Sequence, residues 1–227
     1  SLGSKGIVSL SDIAGGESRM DFHMIDFEGN LKSGVIEWGV VSCVNGRIAE
    51  TRTGLCRPRA PISPRDAMIH GLRDCILSDA PWFEDHESGF RRLRNSGLFA
   101  AHHASVERNL LMDYWPVGAM DAVGNRGVMV QSDWGPWIDS RRVARKAFRG
   151  LGDYSLENLT DKLGLRSVVE EWAAQVCPND RNRPHCALYD AIAAACVVLL
   201  CIRETQWDLR GLLKASGVSG LDQSMLF

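Results

Sequence analysis

The sequence predicts an α/β fold in which helices pack on a sheet that opens with an antiparallel hairpin. Three observations carry this. Asn45-Gly46 stands between two runs of strand character, GVIEWGVVSCV (34–44) and RIAETRTGL (47–55), and that dipeptide is a strong hairpin signal. Beyond residue 60, short apolar runs alternate with helical patterns, the order of helices laid on a sheet. The longest apolar stretch, AIAAACVVLLCI (191–202), is too short to span a membrane and reads as a buried helix.

The elements follow in chain order. Residues 22–27 form a first strand, ahead of the hairpin. After a Pro-rich loop, Ser63-Pro64 supplies a cap and a first-turn proline, and starts a helix over 64–77. A second helical pattern covers 81–95 and ends before Gly97. LFAAH (98–102) is a short strand that leads into a helix at 104–113. VMVQ (128–131) and WIDS (137–140) are weaker strand patterns around WGPW (134–137), whose rings suit either base stacking or the core. Further helices are expected over 140–149, 155–163, 167–175 and 185–205. The chain thus divides into a flexible Gly/Ser-rich N-terminal arm (1–20), one domain (21–205) and a C-terminal tail (206–227).

Composition bounds the function. With 227 residues, 45% hydrophobic and 24% charged, the chain is that of a soluble globular domain, and no membrane partner is expected. Residues 1–20 lack the basic-then-apolar order of a signal peptide. Seven cysteines without a CxxC pair indicate reduced thiols and a cytoplasmic protein. A net charge of −2 excludes a polycation, so nucleic-acid binding would rest on bound metal or on local basic groups. Those groups are Arg91, Arg92 and Arg94; Arg141, Arg142, Arg145, Lys146 and Arg149; and Arg181 with Arg183.

The chemistry begins in FHMIDFEGN (22–30). Side chains alternate along a strand, so Asp26 and Glu28 point the same way, and two like charges there repel and lose hydration. A basic partner or a divalent cation must compensate. HCALYD (185–190) places His185 and Asp190 near one end of the last long helix. An Asp near a helix N-terminus is also favoured by the dipole alone. In FAAHHASVERNLL (99–111), His102 and His103 precede a helix whose first turn carries Glu107. Asp26, Glu28, Glu107 and Asp190 are therefore four acids at strand ends or helix starts, and such oxygen ligands suit Mg²⁺ or Mn²⁺ over Zn²⁺.

DFE (26–28), HHASVE (102–107) and HCALYD (185–190) resemble the three motifs of the DEDDh, or DnaQ-like, 3′–5′ exonucleases, whose pattern is D-x-E, H-N-A-x-F-D and H-x-A-x-x-D. IEWGVV (36–41), PISPRDAMIHGLRD with APWF (61–83) and YSLENLTDKLGL (154–165) extend the resemblance over residues 21–202. It implies an RNase H-like mixed sheet of about five strands flanked by helices. It also implies release of nucleoside 5′-monophosphates from a 3′ end. Two divalent cations, Mg²⁺ or Mn²⁺, would be held by Asp26, Glu28, Glu107 and Asp190, with Asp26 bridging both and His185 as general base. A histidine's ordinary pKa near ~6.5 suits that task.

By the same resemblance, Phe27, Gly29, Asn30, His70, Gly71, His102 and His103 line the substrate. MIHGLRD (68–74) is similar to the HGI loop of proofreading-type enzymes, which points to DNA. Arg181 and Arg183 are expected on substrate phosphate. Two departures stand out. Glu28 is followed by Gly29 and Asn30 where the family continues with Thr-Thr-Gly, and the second motif has His103 for Asn and Glu107 for Asp. An RNase T-like RNA exonuclease and a weakened nucleic-acid-binding or polymerase-accessory module are the alternatives. Finally, QSMLF (223–227) resembles the peptides by which bacterial replication proteins dock in a sliding clamp, through Gln223, Leu226 and Phe227.

Overall fold

The computed structural model describes residues 21–116 and 134–218. Among them, a five-stranded sheet runs in the order β3-β2-β1-β4-β5. Its strands are β1 (Phe22–Asn30), β2 (Gly34–Val44), β3 (Arg47–Leu55), β4 (Leu98–Ala101) and β5 (Trp137–Asp139). The first three pair antiparallel, while β4 and β5 run parallel to β1. This is the expected mixed α/β sheet. The arm at 1–20, the strand pattern at 128–131 and the clamp-like peptide at 223–227 lie outside the described residues.

The helices are α1 (Pro64–His70), α2 (Asp74–Leu77), α3 (Glu87–Ser96), α4 (Ala104–Tyr114), α5 (Ser140–Ala147), α6 (Leu156–Lys162), α7 (Arg166–Val176), α8 (Ala187–Thr205) and α9 (Leu209–Ala215). Two patterns read as single helices are broken. The helix expected over 64–77 stops at Gly71, which takes the left-handed conformation at φ 76° that glycine adopts at little cost. The one expected over 81–95 begins as a 3-10 turn at Phe83–His86 before α3. Packed structure also continues past residue 205, because α9 buries Leu212 and Leu213 fully.

Strand alternation divides the core. Phe22, Met24, Val41 and Cys43 face α8, which is buried on nearly all sides from Ala187 to Ile202. Ile25, Phe27, Val40 and Phe99 face the opposite way, into a cluster of aromatic rings with α3 and α4. WGPW belongs to that second layer: Trp134 and Trp137 are buried, and Trp134 stacks on Phe99. Core packing, and not base stacking, occupies these rings.

The site depends on one close approach. Gly39 of β2 lies under the start of α8, where an added Cβ would stand 2.4 Å from the Ala187 carbonyl carbon and the Leu188 nitrogen. Only a residue without a side chain lets the helix come down onto the sheet there.

Candidate active site

Three elements bring the acids together over the central strand of the sheet. In β1, Asp26 lies opposite Gly39 and Glu28 opposite Glu37, so all four positions share the face that α8 covers. The apolar side chains Phe22 and Met24 hold that face of β1 inward, and its two carboxylates follow the same alternation outward to the rim. Asp190 comes from the first turn of α8, and its Oδ2 accepts a hydrogen bond of 3.1 Å from the His185 amide. Glu107 comes from the first turn of α4, where it is 6% exposed. Glu28, His185 and Asp190 present ligand atoms that all lie within 4.8 Å of one another.

The electrostatics are those of crowded acids. Burial raises the Asp26 carboxyl well above its usual range, and the charges of Asp190, Glu28, Glu107 and Glu37 add to the rise. Burial likewise pushes Glu28 up to about 8, with Asp190 and Glu37 contributing and Arg181 and Arg183 opposing. Glu107 is pushed up to about 8 by burial, with further increments from Asp139 and Glu28. Asp190 rises to about 7, again chiefly through burial. In addition, Oε2 of Glu107 is buried and has no hydrogen-bond partner among the described residues. Clustered carboxylates that resist ionisation, one with an orphan oxygen, fit a hard divalent cation.

Both histidines beside the acids take left-handed backbone conformations, at φ 60° for His185 and 94° for His103. Non-glycine residues seldom do so, and such positions concentrate at functional sites. His185 is exposed in the loop before α8, and His103 is exposed at the start of α4.

Other expected contacts have different occupations. Alternation turns the Phe27 ring to the far face, where it packs edge-on against Phe83 at 5.4 Å, so only its backbone borders the site. Gly29 marks a bulge between β1 and β2. Asn30 accepts from the amides of Lys32 and Ser33 and donates to Asp66, tying the β1–β2 turn to α1. His102 is held between the Ser140 hydroxyl at 2.7 Å and the Tyr154 carbonyl at 3.1 Å. Burial lowers its imidazole to about 4, so it is a neutral brace.

His70 is buried and accepts from the Leu72 amide, and Gly71 closes α1 beside the Arg183 guanidinium. Arg183 is exposed and reaches the His70 carbonyl at 3.3 Å. Arg181, expected on substrate phosphate, is instead only 5% exposed and bonded to Glu37. Arg94 is also inward, donating to the Trp134 and Gly135 carbonyls.

Two buried acids escaped the sequence reading. Glu37 accepts from the Ala187 amide at the start of α8, at 3.1 Å. Asp139 accepts from the Ala104 amide at the start of α4, at 3.2 Å, and from the Arg142 amide at 2.9 Å. Each helix that brings an acid to the site is therefore fastened at its N-terminus by a carboxylate from the sheet. The signal for Glu37 was a charged residue inside an otherwise apolar strand, GVIEWGVVSCV.

No family model matches the chain. It is 27% identical over 202 residues to exodeoxyribonuclease 10 of Escherichia coli (strain K12), covering 87% of this chain and 75% of that protein. It is 26% identical over 168 residues to the DNA polymerase III subunit epsilon of Pasteurella multocida (strain Pm70), covering 73% of this chain and 58% of that protein. Among solved structures, exonuclease X in complex with 5′ overhanging duplex DNA superposes with a TM-score of 0.64 and 24% identity, covering 86% of this chain and 99% of that one. The nuclease domain of 3′hExo, a DEDDh family member bound to rAMP, gives a TM-score of 0.59 at 15% identity, covering 83% and 94%. In its ordered motifs, in the mixed sheet that presents their acids and in these relatives, the chain is similar to the 3′–5′ exonucleases of the DEDDh family.

Proposed function

We propose that the chain hydrolyses DNA stepwise from the 3′ end, on single strands or frayed ends, and releases nucleoside 5′-monophosphates. The observation that carries this reading is the convergence of Glu28, His185 and Asp190 within 4.8 Å beside the raised carboxyls of Asp26 and Glu107. Asp26, Glu28, Glu107 and Asp190 would hold two divalent cations, Mg²⁺ or Mn²⁺. When bound, these supply charge neutralisation at the scissile phosphate.

The chain's own residues do the rest. His185, exposed beside the acids, takes the proton of the attacking water as its oxygen bonds to phosphorus. The bond to the 3′ oxygen of the preceding nucleotide breaks, and that oxygen leaves with the bonding pair. Arg183 borders a cleft of about 450 Å³ shared with Glu37, Thr53, Leu72, Ile76 and Arg181. Arg181 has all three guanidinium nitrogens bonded within the protein, which leaves the exposed Arg183 to face a substrate phosphate. The exposed cations Arg142, Arg145, Lys146 and Arg149, of α5 and the residues just after it, suit the strand's backbone.

DNA is supported by the relatives named exodeoxyribonuclease 10 and exonuclease X, the latter seen with duplex DNA. RNA is kept as a second substrate because 3′hExo is bound to rAMP. Similarity to the epsilon subunit supports association with a DNA polymerase, and hence a role in replication or repair in the cytoplasm. Clamp docking through Gln223, Leu226 and Phe227 rests on sequence alone.

The test is degradation of a 5′-labelled single strand with Mg²⁺, with Mn²⁺ and with EDTA, as DNA and as RNA. A metal-dependent ladder from the 3′ end that disappears in His185→Ala is expected. Tight binding with no ladder under either metal would instead make the protein a binding module.

A further inference from the structure

The loop that carries His185 is cinched at its base by one carboxylate. Arg181 donates to Glu37 from Nε at 2.9 Å and again from Nη2, and its third nitrogen reaches the His70 carbonyl at 2.5 Å. On the other side of the loop, the Ala187 amide donates to the same Glu37 oxygen that Nη2 contacts. Arg181 and Ala187 are thus both fastened to Glu37, while residues 182–185 between them are exposed. Glu37 itself is 2% exposed and sits opposite Glu28 across the β1–β2 ladder.

A buried ion pair is poor evidence for stability, since two apolar side chains of similar size often serve as well or better. What the pair does supply is direction. It fixes both ends of a short exposed loop, one on each side of His185, and ties them to the strand next to the one bearing Asp26 and Glu28. It also ties the end of α1 to the same point through the His70 carbonyl. Within the loop, His185 has one further tether, from its amide to Asp190.

We propose that Glu37 and Arg181 are positioning residues for the exonuclease reaction: they hold His185 in register with the acids of β1, and Arg181 does not touch substrate. This rests on the reading of His185 as the general base. A shift of about 1 Å in a catalytic group can cost about 100-fold in rate. Loosening the loop therefore acts chiefly on kcat, with a smaller rise in KM because Arg183 lies in the same loop.

Steady-state and single-turnover kinetics on a 5′-labelled single-stranded DNA test this with four variants, each checked for folding by circular dichroism. Arg181→Ala is expected to lose about 10–100-fold in kcat with a much smaller rise in KM, and added guanidinium is expected to restore much of the rate. Arg183→Ala, at the cleft, is expected to raise KM instead. Should Arg181→Ala fail to fold, the double variant Glu37→Leu with Arg181→Met decides, because it leaves no unpaired buried charge. A folded double variant with wild-type kcat would make the pair mere packing and overturn the proposal. A raised KM with unchanged kcat in Arg181→Ala would also overturn it, by returning Arg181 to substrate phosphate. His185→Ala runs alongside: if it is dead while Arg181→Ala keeps its kcat, only the positioning role falls. If His185→Ala stays active, the base assignment falls, and this proposal with it.

Discussion

Glu107 occupies the place of an Asp in the family pattern. Its carboxyl is buried, pushed up to about 8, and keeps one oxygen without a partner among the described residues. The sign of its effect on stability follows. A carboxyl whose folded pKa exceeds its unfolded value contributes fully below about 4.5, and that contribution is lost as pH rises through about 8. In metal-free protein, Glu107→Gln removes this titration. Its unfolding free energy is therefore expected to fall less between pH 5 and pH 8 than that of wild type, by on the order of 3 kcal/mol. Urea unfolding in EDTA at the two pH values measures it. Equal pH dependence in both proteins would show that the carboxyl is not buried in the way described. Exonuclease activity of the same variant is expected to drop by about 10–100-fold if Glu107 holds a cation as proposed, as a neutral amide then replaces an anionic carboxylate. The neighbouring substitution, His103 for Asn, also has a local consequence: position 103 lies in the left-handed region, which Asn tolerates better than His.

At the scale of elements, what was legible and what was not divides by range. The β2–β3 hairpin, the start of α1 and the long apolar α8 were legible because their signals are local: Asn45-Gly46 at a turn, Ser63-Pro64 at a cap, an apolar run too long for a strand. That Asp26 and Glu28 share a face was legible because strand alternation sets it, whereas Glu107, His185 and Asp190 were proposed beside them from motif spacing. The break at Gly71 was missed, since a glycine within a helical pattern is as often tolerated as used to stop it. Arg181 and Phe27 were misplaced because exposure depends on partners distant in sequence, Glu37 for one and Phe83 for the other. His102 is the same kind of case, read as a substrate contact and found bracing the β4–α4 turn against α5. Its imidazole, and that of His23 between the Ser42 and Ser96 hydroxyls, are each lowered to about 4, first by burial. A histidine depressed in the folded state contributes stability above about 6.5 and loses it as pH falls towards 4. Between pH 7 and pH 5 each costs about 2 kcal/mol. His102→Gln is expected to flatten that acid limb by this amount in urea titrations, whereas a variant as acid-sensitive as wild type would mean that His102 carries a proton in the folded state.

For the whole molecule, these two sets of groups pull stability in opposite directions. The buried histidines penalise acid, and the raised carboxyls of Asp26, Glu28, Glu107 and Asp190 penalise base when no cation is present. The folded chain therefore keeps at its active site a repulsion that protonation relieves at low pH and that only a counter-charge relieves at high pH. Arg181 is spent on Glu37, and Arg183 is exposed, so the protein's own cations relieve it only in part. A divalent cation that binds the native site stabilises by mass action, and it needs the carboxylates ionised. Its benefit must then grow with pH, in the direction opposite to the trend of the metal-free protein. Thermal unfolding in 10 mM Mn²⁺ and in EDTA, at pH 5.5 and pH 8, is expected to show a larger rise in Tm at pH 8, with Asp26→Asn and Asp190→Asn together removing the difference. Equal rises at both pH values, or a rise that survives the double substitution, would place the bound cation away from these four acids. It would also leave their mutual repulsion in β1, α4 and α8 without the partner that the crowding requires.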